Sequence, residues 1–278
     1  MTIHHKLLNI GCGPTFHPHW VNIDLVSTSP HVLSYDIRKG LPYPDDYFDA
    51  CYSSHLIEHL TPEEARKLLA EVSRVLKPQG VVRVVVPDLE MIARIYLATL
   101  EQIESGKIEA EPNYDWIVLE LFDQMVRHVN GGEMGRYLTS PEIKNKDFVL
   151  SRVGAVSSRE INNSSIQESI WARIKFYKIS QLIRRSRLAV AKRLVRLVAG
   201  HETQRSFREG LFRNSGEVHR WMYDRFSLRR LLEQVGFIEV NVCPADKSRI
   251  PNFNCYDLDV INGQVRKPDS LFMEGIKP

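Results

Sequence analysis

Apolar and polar positions along the chain alternate in short blocks that separate strands from helices. Lys6-Leu-Leu-Asn-Ile10 is a short apolar run ending in Gly-Cys-Gly, and it predicts a first strand. Trp20 to Leu25, Val32 to Tyr35 and Phe48 to Ser53 predict three more. Thr61-Pro-Glu-Glu64 then reads as a helix start, with Thr61 as N-cap, Pro62 in the first turn and Glu64 closing a capping box. Ala65, Leu68, Leu69, Val72, Val75 and Leu76 follow at helical spacing, and Lys77-Pro-Gln-Gly80 stops the helix. Val81 to Val86 is apolar except for Arg83, without alternation, as in a central parallel strand buried on both faces.

From Met91 to about Glu217 the pattern turns helical, with a polar patch from Ser157 to Ser169 that reads as loop. A helix from Ser227 to Val235, a strand from Phe237 to Val242 and a last strand near Ser270 to Gly275 resume the sheet. The order predicts an α/β fold: a Rossmann-like open sheet with an inserted helical subdomain. The expected division is a core first part at 1–92, a helical insertion at 93–216 and a core last part at 217–278.

Composition narrows the class. Of 278 residues, 43% are hydrophobic and 26% charged, which excludes a disordered chain and a small disulfide scaffold. No run approaches the roughly 20 apolar residues of a membrane span. Cys12, Cys51, Cys243 and Cys255 form no CxxC pair, and the start has no charged-then-apolar signal pattern; a reduced, cytoplasmic protein is expected. The net charge of +3 conceals an asymmetry. Ile170 to Arg213 holds twelve Lys/Arg against two acids, so the remainder is net negative. Such a block suits either a solvated helical face or an anionic partner. From Ile179 to Val198 the apolar residues Ile179, Leu182, Ile183, Val190, Leu194 and Leu197 fall roughly on one side, with most arginines elsewhere. This is the pattern of an interfacial helix, and a peripheral contact with anionic membrane through 173–213 is expected; the alternative packs the apolar side on the sheet.

Gly11-Cys12-Gly13 after a strand is a weak signal alone. Its neighbours strengthen it: Asp24 ends the second strand, where a carboxylate can hold a ribose diol, and Asp36 follows the third, near an adenine amino group. A P-loop would need GxxxxGK[ST], which is missing, and the dinucleotide fingerprint fails because Phe16 replaces its third glycine. The short loop leaves no room for a helix to hold a pyrophosphate. A ligand with ribose and adenine but no phosphate fits: S-adenosylmethionine.

Leu7-Leu-Asn-Ile-Gly-Cys-Gly13, Asp24, Asp36 with Leu41-Pro-Tyr-Pro44, Phe48-Asp49, Glu58-His59, Leu76-Lys-Pro-Gln-Gly80 and Ser227 to Phe237 together resemble the class I S-adenosylmethionine-dependent methyltransferases of type 11. Within that class the chain looks like a predicted bacterial subgroup associated with polysaccharide or secondary-metabolite pathways. The resemblance implies a mostly parallel seven-stranded sheet. It further implies that Asn9, Gly11, Cys12, Gly13, Asp24, Asp36, Ile37 and Ser53 contact the cofactor, with Ile37 against the adenine. Asn9 departs from the pattern, since an acid usually helps hold the cofactor's amino group. Two sheet helices are also missing, so inserted helices or a partner chain must cover that face.

Methyl transfer to a hydroxyl gains from a base, and histidine suits neutral pH. His55 stands at the end of the fourth strand, His59 one helical turn on, and His219 in Val-His-Arg-Trp-Met-Tyr223 before the penultimate helix; these are the candidate bases. His55-Leu-Ile-Glu58-His59 also has inverzincin spacing, but a peptidase would leave the glycine loop unexplained. Ubiquinone-pathway O-methyltransferases, which look similar here, hold a divalent ion through an acid-x-x-Glu-His stretch; His55 replaces the first acid, and no metal is expected. Ser53-Ser-His replaces the Asn/Asp-Pro-Pro-Tyr of base-amine enzymes, so no nucleic acid is expected. The expected acceptor is a hydroxyl of a glycan or other small molecule. N-methylation of a natural product and a non-catalytic binding module are the alternatives.

Overall fold

The computed structural model describes residues 5–27, 29–162 and 179–278. Strands β1 (Leu7–Ile10), β2 (Val21–Asp24), β3 (Val32–Ser34), β4 (Phe48–Ser54), β5 (Leu76–Pro87) and β6 (Ile238–Val242) are followed by a small hairpin, β7 (Val260–Ile261) and β8 (Gln264–Val265), and by β9 (Ser270–Ile276). Seven of them form one sheet in the order β3-β2-β1-β4-β5-β9-β6. Pairings among β1 to β5 are parallel, and β9 runs antiparallel between β5 and β6. This is the Rossmann-like, mostly parallel sheet that the sequence predicts.

Helix α1 (Pro62–Val75) forms where expected, with the Thr61–Glu64 capping box in place. Such a cap contributes about 1 kcal/mol. Its face of Ala65, Leu68, Leu69, Val72 and Val75 packs on one side of the sheet beside helix α7 (Arg225–Gln234), which the Asp224 side chain caps. Strand β5 is longer than its apolar run. Leu76 pairs with Phe48 before a bulge restores the register at Ala50–Val81, so the Lys77 to Gly80 turn stays on the ladder.

Among the described residues no α-helix separates β1 from β2, or β2 from β3. Among the described residues the inserted helices do not cover the face left bare. The segment between β6 and β9 covers it instead: Ala245, Ile250, Phe253 and Leu258 pack on Leu7, Trp20, Ala50, Tyr52 and Val85. Arg83, wholly buried on this face, fastens the cover. Its guanidinium pairs with Asp259 at 2.7 Å and Glu274 at 2.8 Å and donates to the Ala245 and Lys247 carbonyls.

The insertion comprises α2 (Leu89–Glu104), α3 (Glu111–Val126), α4 (Gly132–Leu138), α5 (Lys146–Asn162) and α6 (Ile179–Arg213). Asp88 caps α2, so the helical part starts at Leu89, ahead of the expected boundary at 93. A buried Glu120–Arg152 pair at 2.6 Å ties α3 to α5. Residues 157–162 continue α5 rather than forming a loop, and 163–169 lie outside the described residues. Gly200, with φ 82° and ψ −178°, interrupts α6. Val190, Leu194, Leu197 and Val198 on α6 are 54–86% exposed, so they do not pack on the sheet. The side chains of Ile179, Leu182 and Ile183 lie outside the described residues.

Candidate functional site

The parallel strands β1 and β4 deliver two loops to the same edge of the sheet. The first is the glycine loop. Gly11 has φ +65° and Gly13 φ +52°. A Cβ on Gly11 would stand 2.7 Å from a Leu56 methyl, so the loop presents bare backbone there. Asn9 is buried beneath it and donates to the Thr15 carbonyl at 3.1 Å and to Asn22 Oδ1 at 3.2 Å, joining the loop to β2. Its own Oδ1 is buried without a hydrogen-bond partner. Asp24 clamps the other side: Oδ2 accepts from Gly13 N at 2.9 Å and Oδ1 from Val26 N at 3.1 Å. Each oxygen retains a lone pair for a further donor. Cys12 is buried, and burial together with Asp24 pushes its thiol up to about 12, so it stays protonated.

The second loop follows β4. His55 sits at φ +51°, with Nε2 2.8 Å from Ser270 Oγ and Nδ1 3.3 Å from Glu58 Oε1. Glu58 is fully buried; its carboxyl oxygens lack a hydrogen-bond partner, and burial raises it to about 8. His59 turns Nδ1 to the Val218 carbonyl at 3.3 Å, and its ring lies edge-on to His219 at 4.7 Å. The 218–221 segment is held there because Arg220 N and Trp221 N both donate to the Glu58 carbonyl, while His219 N donates to Gln124 O on α3. Burial lowers His59 to about 4 and His219 to about 2, and the Arg127 and Lys267 charges act in the same direction. His55 is lowered as well, by burial first and then by Lys267. All three are therefore neutral at pH 7.

A cavity of about 240 Å³ joins the loops. Asn9, Gly11, Cys12, Gly13 and His55 line it from the sheet side, with Tyr52 and Ser54. Asp259, Arg266 and Lys267 line it from the cover. Sequence reasoning missed Ser54, Arg266 and Lys267; the last two carry no motif and reach the cavity only because the cover folds over the sheet. Other expected residues stand apart. Asp24 holds the glycine loop outside this lining. Asp36 is bound by both Arg38 Nε (2.8 Å) and Nη2 (2.9 Å), which keeps its carboxyl below the usual range. Ile37 lines a separate small cavity with Leu60 and Leu68. Ser53 is buried with its hydroxyl unpartnered.

Glu58, His59 and His219 offer donor atoms within 4.8 Å of one another, as in a two-histidine, one-carboxylate metal centre. The positive potential that Lys267 and Arg127 impose on both histidines opposes a dication there.

Residues 8–84 match the family model of a methyltransferase domain. The match spans β1 to most of β5, including both loops, and the group that such a domain uses is S-adenosylmethionine. The residues fit it: a glycine cradle that a Cβ would fill, and an unpartnered Asn9 oxygen beside it. No curated protein matches the chain. Among solved structures the chain is similar to the [4+2]-cyclase SpnF, at 24% identity over 29% of this chain and 38% of that one, with a TM-score of 0.24. It is similar to YcgJ from Bacillus subtilis at 23% identity over 35% and 51%, with a TM-score of 0.26. A methyltransferase from Archaeoglobus fulgidus aligns over 98% of this chain and 86% of that one, at 14% identity and a TM-score of 0.38. The chain thus spans about two fifths and one half of the lengths of SpnF and YcgJ. Among the described residues no helix is long and apolar enough to cross a membrane.

Proposed function

We propose that the chain is an S-adenosylmethionine-dependent methyltransferase that O-methylates a hydroxyl of a glycan or other small molecule. The observation that carries this reading is His55: a neutral imidazole on the wall of the glycine-loop cavity, backed by Glu58 at 3.3 Å. Bound S-adenosylmethionine supplies a methyl group on a sulfonium, a good leaving group, so the protein's task is mainly positioning. The Gly11–Gly13 loop, Asn9 and Asp24 hold the donor. With the donor bound, its methyl carbon would be open to in-line attack by an acceptor hydroxyl, and His55 Nε2, which Ser270 now occupies, would take the hydroxyl proton. Glu58 faces Nδ1, and its ionised form would stabilise the imidazolium that forms. His59 and His219 pack behind Glu58 and position it.

Replacing His55 with Ala should lower turnover about 10²–10⁴-fold and leave S-adenosylhomocysteine binding intact. Turnover within a few-fold of wild type would remove His55 as the base. We further propose that α6 rests on anionic membrane. Its exposed Val190, Leu194 and Leu197 lie among Arg187, Lys192, Arg193 and Arg196. Vesicles rich in anionic lipid should co-sediment the protein at low salt and release it at high salt. Equal binding to neutral vesicles, or none to either, would refute the contact.

A further inference from the structure

Two cationic side chains line the glycine-loop cavity without an ion pair among the described residues. Arg266 and Lys267, consecutive on the chain, both line it. Arg266 is anchored by neutral acceptors alone: Nη2 donates to Thr15 Oγ1 at 2.8 Å and Nη1 to the Asp257 carbonyl at 3.3 Å. The Lys267 ammonium has no hydrogen bond or ion pair among the described residues. The one carboxylate in the described lining, Asp259, is already taken, by Tyr52 Oη at 2.6 Å and by Arg83 Nε at 2.7 Å. Glu58 and Asp269 lie near Lys267: burial raises Glu58 to about 8, so it is mostly protonated at neutral pH, whereas Asp269, raised to about 6, stays largely ionised but forms no ion pair with Lys267 among the described residues. Burial lowers Lys267, and the nearby Glu58 and Asp269 offset only part of that cost.

We propose that Arg266 and Lys267 form an anion receptor in this cavity that takes a carboxylate or phosphate group of a bound ligand. An ammonium offers three donors and a fixed guanidinium a flat fork, so together they suit a multi-oxygen anion better than a neutral hydroxyl. Resting on the methyltransferase reading, the anion has two sources: the carboxylate of the methyl donor, or an acidic group on the acceptor, such as a uronate or a sugar phosphate. In the second case the acceptor is an anionic glycan or metabolite rather than a neutral one.

Calorimetry on the full chain separates these outcomes. The probes are S-adenosylhomocysteine, methylthioadenosine (which lacks the amino-acid end) and inorganic phosphate added to the S-adenosylhomocysteine complex. The proteins are wild type, Lys267→Met and Lys267→Arg, the last to show that charge restores what Met removes. If the receptor holds the donor's carboxylate, Lys267→Met weakens S-adenosylhomocysteine about ten- to hundredfold and leaves methylthioadenosine unchanged. If it holds an acceptor anion, Lys267→Met leaves both nucleosides unchanged and abolishes phosphate binding to the complex. Wild-type affinities for all three probes in Lys267→Met overturn the receptor. If neither nucleoside binds wild type, the methyltransferase reading fails, and phosphate binding to the free protein then decides the receptor by itself.

Discussion

Arg83→Met tests what holds the cover on the sheet. Arg83 is fully buried, and its two ion-pair partners are almost fully buried as well. Met fills much of the same volume, so the change removes charge and hydrogen bonds more than packing. It strands Asp259, leaving it only the Tyr52 hydroxyl, and it strands Glu274, leaving it Ser248 and the Arg249 amide. It also removes the donor to the Ala245 and Lys247 carbonyls. Breaking a buried pair by deleting one partner costs about 3–5 kcal/mol, because an uncompensated charge stays inside. That is a large share of the roughly 5–15 kcal/mol that keeps a domain folded. Urea unfolding at pH 7 should show a loss of this size. S-adenosylhomocysteine affinity should fall with it if the receptor holds the donor's carboxylate, since Arg266 and Lys267 ride on the same cover. Adding Asp259→Leu and Glu274→Met should recover much of the stability, because an apolar replacement of the whole network leaves no charge unpaired. A loss below about 1 kcal/mol for Arg83→Met would refute the reasoning and leave apolar packing around Phe253 as the fastening.

Asp24→Ala should cost most of the S-adenosylhomocysteine affinity without unfolding the protein, because it removes both the clamp on Gly13 and the proposed ribose acceptor; unchanged affinity in a titration would take Asp24 out of the site. Gly11→Ala should do the same through sterics, and wild-type binding would mean that Leu56 moves aside freely. For pH, His219 is lowered from 6.5 to about 2, so between those values the unfolded chain takes up a proton that the folded one refuses. Stability is therefore lost as pH falls below 6.5, and His219→Asn should remove about 1.4 kcal/mol per pH unit of that loss between pH 6 and 4; parallel curves for variant and wild type would show that His219 is not held neutral.

The seven strands of the main sheet were legible because each carries its own apolar block, and α1 because Thr61, Pro62 and Glu64 spell a helix start in four residues. The approach of His55, His59 and His219 was legible only in part. His55 and His59 share one turn of chain, whereas His219 arrives from 160 residues away through backbone hydrogen bonds to Glu58, a contact with no sequence signature. The covered face was misjudged for a related reason. Residues 243–268 have neither helical nor strand periodicity, so nothing marked them as core, although Phe253 and Leu258 are each only 3% exposed. The single charge inside the β5 run, Arg83, was the available clue: a buried guanidinium demands carboxylates, and Asp259 and Glu274 both lie late in the chain. Asp36 reads as a ligand residue from position alone, and nothing in spacing warns that Arg38, two residues on, takes both of its oxygens.

One consequence joins the base to the anion receptor. Burial first, with Lys267 as a smaller cause common to all three, lowers the basicity of His55, His59 and His219, which keeps the imidazoles neutral but makes them weak acceptors of a proton. An anion seated on Lys267 cancels part of that potential, and the histidine pKa values then rise toward their ordinary range. Basicity at His55 would thus be greatest when the cavity is filled, which is when an acceptor hydroxyl has a proton to lose. The same coupling runs in reverse by linkage, since protonated histidines would favour the bound anion. Followed by NMR, the histidines should therefore titrate at higher pH in the phosphate complex than in the free protein. Coincident midpoints would mean that Lys267 and the histidines do not sense each other.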